Sequence, residues 1–230
     1  MNERPETPII IHVGMTRTGT TWLHNEVFPS HPDLNYAGRI EWDELLELLL
    51  EPEDTGKPLV IESHGISDPQ LSLAGIAKRA DLLKEACQEA AIILVTRDPI
   101  SHLDSIYRTR VAGGIATTKK KFLASFDMDC VNHTLLSKVW TDRFDRVLVL
   151  PYELLKADPK LFIAKISLFI DVEPFQPANW KTVNRKLVPP LYWLMRLINV
   201  FVNTGTSAPW AQALRRAMQK VNVAIRKILQ

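Results

Sequence analysis

Four short, predominantly apolar runs, at residues 9–13, 59–62, 91–96 and 146–150, most narrowly limit what this chain can fold into. A strand with one wet face alternates apolar and polar residues, so strands this uniformly apolar have to be covered on both sides. Helical patterning fills the segments between them, at 20–27, 72–87, from 100 to about 140, and 160–170. The alternation predicts an α/β fold of three layers, a central parallel sheet between helices. The chain has 230 residues, 46% of them hydrophobic and 23% charged. That is enough to bury one substantial core, and a single domain over 1–230 is expected. Within it, residues from about 187 to 230 read as a basic helical C-terminal extension.

The first run leads into His12-Val13-Gly14-Met15-Thr16-Arg17-Thr18-Gly19-Thr20-Thr21-Trp22. Glycines at both ends of the turn let successive backbone N–H groups converge on an anion at the start of the next helix. Arg17 adds a fixed positive charge, and Thr18, Thr20 and Thr21 add hydroxyls. The frame is not that of a Walker A loop, G-x-x-x-x-G-K-[ST], because Thr20 stands where the lysine belongs. The third run delivers Arg97-Asp98-Pro99 at its C-terminal end, and Ser105 follows in a helical pattern. In open parallel sheets, ligands bind beyond the C-terminal ends of the strands, where both segments fall.

A cation two residues before Gly19, followed by Thr-Thr-Trp, resembles the 5′-phosphosulfate loop of sulfotransferases that use 3′-phosphoadenosine 5′-phosphosulfate (PAPS). That family usually carries lysine where this chain has Arg17. Arg97-Asp98-Pro99 with Ser105 resembles the family's 3′-phosphate motif, R-[ND]-P with a serine eight residues after the arginine. Val147 through Pro159, with its Pro151-Tyr152-Glu153 turn, is similar to the late strand and helix, and Val183-Asn184-Arg185 to a downstream cofactor-proximal segment. The likeness spans about Ile9 to Arg185, with sharp motifs only at the two phosphate loops. It implies a P-loop-NTPase-like fold with added C-terminal helices. It also implies a nucleotide site built from Arg17, Thr18, Gly19, Thr20, Thr21, Trp22, Arg97, Ser105, Asn184 and Arg185, with PAPS as donor and 3′-phosphoadenosine 5′-phosphate (PAP) as product.

The implied reaction is in-line sulfuryl transfer to a hydroxyl or amine, with Arg17 stabilising charge on the leaving phosphate. Arginine stays charged and forks to two oxygens, but it donates no proton at physiological pH. Three groups are candidates for the general base. Glu41 lies near where polysaccharide-type members carry a catalytic glutamate, while Glu62 and His64 close the second apolar run; Glu41 and His64 rank ahead of Glu62. His12 reads as a packed core histidine, His24 as a helix-face residue and His31 as a turn residue.

Two cysteines, Cys87 and Cys130, make no disulfide framework or metal cluster, and no metal motif is present. Residues 1–8 are polar, the apolar run after them lacks the flanks of a secretion signal, and no stretch is apolar enough to span a bilayer. A cytoplasmic protein is therefore expected. After Glu173 there is no acidic residue, against nine basic ones. Amphipathic patterning at 191–202 and 211–229 gives this tail either an ordinary core-packed role or peripheral contact with an anionic membrane surface. No aromatic-basic platform supports nucleic-acid binding. A carbohydrate or glycoconjugate is the expected acceptor. A Mg-ATP-dependent P-loop kinase or NTPase and a catalytically degenerate sulfotransferase-like protein are the competing readings.

Overall fold

The computed structural model describes residues 8–52, 55–63, 65–67 and 71–180, with scattered positions from 196 to 220. It is an α/β structure in which five parallel strands form a central sheet flanked by helices. The strands are β1 (Ile9–His12), β2 (Asn35–Arg39), β3 (Leu59–Glu62), β4 (Ala91–Thr96) and β5 (Val147–Pro151), in the order β2-β3-β1-β4-β5. Along the chain the sheet grows first on one side of β1 and then on the other. The chain reversal that creates a ligand crevice therefore falls beside β1, next to β4. Register fixes the rim of this crevice: His12 lies opposite Glu62 on one side and Ile93 on the other, and Glu62 opposite Arg39.

Four strands stand where apolar runs predicted them. β2 was not anticipated, because Asn-Tyr-Ala-Gly-Arg has no apolar run. It is an edge strand with a single neighbour, and a register shift between Tyr36 and Gly38, where Gly38 takes a φ of 92°, bends it. The first helix is also shorter than its pattern. α1 (Thr20–Trp22) passes into a π-helical turn at Leu23–Val27 and a 3-10 turn at Phe28–Ser30.

The remaining helices are α2 (Trp42–Leu50), α3 (Leu73–Ala86), α4 (Pro99–Ala112), α5 (Lys119–Ala124), α6 (His133–Thr141), α7 (Tyr152–Ala157) and α8 (Pro159–Ile170). Local chemistry sets several of their starts. Ser72, Thr118, Asn132 and Asp158 accept backbone N–H groups at the first turns of α3, α5, α6 and α8.

The chain divides into two compact units, Met1–His102 with Asp127–Val183, and Leu103–Phe126 with Asn184–Gln230. The first holds the whole sheet and a core in which Ile10, Trp22, Phe28, Val60, Ile93, Leu150, Phe162 and Phe175 are buried. The second has its own apolar cluster of Ile106, Tyr107, Val111 and Phe122. There the Asn199 side chain donates to the carbonyls of Val111 and Ile115. Residues 210, 213, 217 and 220 are helical and exposed. No described helix is long and apolar enough to cross a membrane.

Candidate active site

The loop from Gly14 to Gly19 joins β1 to α1, and two close approaches dictate its glycines. A Cβ on Gly14 would lie 2.6 Å from Thr20 Cγ2 and 2.7 Å from His12 Cε1. At Gly19 the backbone is left-handed, with φ 92°, and a Cβ would meet Leu155 Cδ2 at 2.5 Å. Gly19 also starts α1, its carbonyl accepting from the N–H groups of Trp22 and Leu23. Arg17 is left-handed as well, at φ 71°. For a residue with a Cβ that conformation costs about 1–2 kcal/mol, so surrounding contacts have to hold it.

Those contacts come largely from the second motif. β4 ends at Thr96, and Arg97 turns back with its side chain 6% exposed. Its Nη1 donates to the Arg17 carbonyl at 2.8 Å and its Nε to Ser101 Oγ at 3.1 Å. The guanidinium lies over the Tyr152 ring, 4.8 Å from the centroid. Among the described residues Nη2 has no partner. Asp98 caps α4 by accepting from the Ser101 N–H, Glu153 accepts from the Asp98 N–H, and His133 donates to the Arg97 carbonyl. The Tyr152-Glu153 turn after β5 therefore holds the second motif in place.

The expected site residues divide by what their side chains already do. Thr18 is fully buried and donates its hydroxyl to the Met15 carbonyl at 2.6 Å. Trp22 lies in the core with its indole N–H on the Asn179 carbonyl. These two offer a ligand only their main chain. Arg17 and Thr21 are half-buried, while Thr20 is buried against Gly14. Ser105 belongs to the part of α4 in the second unit, where its carbonyl accepts from the Thr109 hydroxyl. Glu41 is exposed and forms a reciprocal capping box with Glu44 at the start of α2. His64, Asn184 and Arg185 lie outside the described residues.

Beneath the loop sits a buried polar cluster of which the sequence showed only parts. Glu62 is fully buried, and its Oε1 accepts from Arg39 Nη2 at 2.9 Å and from Nε at 3.3 Å. Its Oε2 lies 4.0 Å from His12 Nδ1 and 3.9 Å from His24 Nδ1. Burial outweighs the pull of Arg39 and pushes the Glu62 carboxyl up to about 7. Burial and the Arg39 charge hold His12 down at about 3, so it is neutral. Its two ring nitrogens have no hydrogen-bond partner among the described residues. The Tyr36 hydroxyl, hydrogen-bonded to His24, is pushed above its ordinary range by burial and by Glu62.

No protein-family model matches the sequence, and no curated protein matches it. Among solved structures the chain is similar to a sulfotransferase from Alicyclobacillus acidocaldarius. Identity is 17% and the TM-score 0.59, with 96% of this chain and 95% of that one covered. A mouse sulfotransferase, SULT7A1, solved in complex with PAP, superposes at 17% identity and a TM-score of 0.49, over 87% of this chain and 68% of that one. The chain has the fold of the sulfotransferases, with its all-parallel five-stranded sheet.

Proposed function

We propose that this protein is a sulfotransferase that moves a sulfuryl group from PAPS to a hydroxyl or amine acceptor, of carbohydrate or glycoconjugate class, without a metal. The observation that carries this reading is the pairing of two phosphate motifs across the β1–β4 crevice, with Arg97 bonded to the Arg17 carbonyl. A nucleotide with phosphates at both ends needs two anion sites held at a fixed separation, and a pairing of this kind is what such sites require. The residues fit such a ligand: Gly14 and Gly19 let the loop pack tightly on His12, Thr20 and Leu155, so that its backbone can turn toward an anion, and Arg97 Nη2 is uncommitted among the described residues.

PAPS would supply the sulfuryl group and an oxygen leaving group whose charge grows during transfer. On this reading Arg17 and the N–H groups of residues 18–21 hold the 5′ side, and the Arg17 charge steadies the leaving phosphate. Arg97 and Ser105 take the 3′-phosphate, with Asn184 and Arg185 contributing from the following segment. His64 and Glu41 are the proposed acceptors of the substrate proton. The engagement of Glu41 in its capping box favours His64, whose unperturbed pKa suits base chemistry near neutrality. Glu62 is fully buried and bonded to Arg39, which ranks it last of the three as the group that touches an acceptor. Cytoplasmic residence, with the basic tail against an anionic membrane surface, completes the proposal.

Incubation of the protein with sulfur-labelled PAPS and a panel of carbohydrates and glycoconjugates tests the reading. Label should move to an acceptor without added metal, and Arg17→Ala should abolish the movement. Transfer of phosphate from Mg-ATP in place of sulfate would overturn it.

A further inference from the structure

Three consecutive carbonyls in the phosphate loop accept hydrogen bonds from side chains. Met15 takes the Thr18 hydroxyl at 2.6 Å, Thr16 takes His102 Nε2–H at 2.8 Å, and Arg17 takes Arg97 Nη1–H at 2.8 Å. In a planar trans peptide the N–H points opposite to the C=O. Turning the carbonyls of 15, 16 and 17 toward the protein therefore turns the N–H groups of 16, 17 and 18 the other way, as an anion-binding nest requires. Both peptide units that flank the left-handed Arg17 are tethered from the second motif, one by Arg97 and the other by His102.

His102 is fully buried in the first turns of α4, and its Nδ1 has no hydrogen-bond partner among the described residues. The charged and titratable groups that act on it are Arg97, His133 and Arg17. Burial, helped by these groups and opposed by the Thr16 hydrogen bond, holds it down at about 4, so it is a neutral imidazole at physiological pH, in the tautomer that donates from Nε2.

We propose that His102 is a positioning residue for Arg17: by clamping the Thr16 carbonyl it keeps the loop, and the cation it carries, in the phosphate-receiving conformation. The proposal rests on the sulfotransferase reading for the identity of the ligand, and on the loop geometry alone for the clamp. The 5′ site is thus prebuilt by the helix that follows the 3′-phosphate motif.

Calorimetric titration with PAP tests the clamp in the wild type, His102→Leu, His102→Gln, Arg17→Ala and the Arg17→Ala/His102→Leu double variant. His102→Leu should weaken PAP binding about tenfold, as expected for losing one buried hydrogen bond that orders the loop. Glutamine carries an N–H donor on a side chain of similar reach and should restore affinity to within about threefold. In the Arg17→Ala background the leucine substitution should have a smaller further effect, because only the loop N–H groups are left for it to position. A His102→Leu variant that binds as wild type, or an equal loss in both backgrounds, overturns the proposal. If the leucine variant does not fold, His102→Asn, too short to reach Thr16, should bind more weakly than His102→Gln, and equal affinities overturn it. A wild type that ignores PAP refutes the sulfotransferase reading instead. The clamp is then read from hydrogen exchange of the Arg17 and Thr18 amides in the ligand-free protein. Exchange about tenfold faster in the glutamine-rescuable variant supports it, and unchanged exchange overturns it.

Discussion

Glu62→Gln should change how the stability of this protein depends on pH. Glutamine preserves the volume of the buried side chain and removes its titration. In the folded protein burial raises the carboxyl from 4.5 to about 7, against the opposing pull of Arg39. At about 1.4 kcal/mol per pH unit, that interval is worth about 3 kcal/mol. Between pH 4.5 and 7 the folded state holds a proton on Glu62 that the unfolded chain has released. The stability tied to this group is thus fully present below pH 4.5, falls as pH rises and levels off above 7. His12, held down at about 3, and His102, at about 4, act in the opposite direction, since their contributions are present above 6.5 and fade as pH falls. Glu62 therefore offsets part of the acid sensitivity of the two histidines, and its removal should expose more of it. Urea unfolding of wild type and variant at pH 5, 6, 7 and 8 measures this. The difference between them should move toward the variant by about 2 to 3 kcal/mol from pH 5 to pH 8, whatever constant offset follows from the lost Arg39 hydrogen bonds. A difference that stays constant with pH, or moves the other way, would refute the claim that this carboxyl is held near neutrality by burial.

Other consequences are separable from this one. Gly19→Ala places a Cβ against Leu155 at a positive φ and should cost about 2 to 4 kcal/mol in urea unfolding; a loss under about 0.5 kcal/mol would contradict the packing described. Arg97→Lys cannot serve the Arg17 carbonyl, Ser101 and a phosphate from one planar fork. It should weaken PAP binding by about 10- to 100-fold, and unchanged affinity by calorimetry would remove Arg97 from the site. Once an acceptor is in hand, His64→Ala should lower turnover by ~100-fold or more with PAP affinity intact. Glu41→Ala should lower stability by about 0.5 to 2 kcal/mol through its cap while sparing most of the turnover. The reverse kinetic pattern would make Glu41 the base.

The sheet was legible where burial on both faces leaves a continuous apolar run, as in Ala91–Thr96, whose six residues are all buried. It was not legible at β2, because an edge strand with one neighbour does not need that composition. The same contrast holds at the site. Arg17 and Arg97 stand in local motifs, and His12 was read correctly as a packed histidine. His102 carried no such signal, and Tyr152 only that of a turn after a strand: His102 meets Thr16 from 86 positions along the chain, and Tyr152 reaches Arg97 only because β5 lies beside β4. Arg39 and Glu62 pair for a similar reason, through register between two strands, one of which the sequence did not reveal. Ser101 is the serine that meets Arg97 Nε, although the spacing drew attention to Ser105.

The most direct measurement of the central claim is calorimetric titration of the full chain with PAP, with its counterpart lacking the 3′-phosphate, and with Mg-ATP. PAP should bind tightly without metal, with a large loss when the 3′-phosphate is removed, because Arg97 would then hold no anion. Binding that requires magnesium and is indifferent to the 3′-phosphate would contradict it.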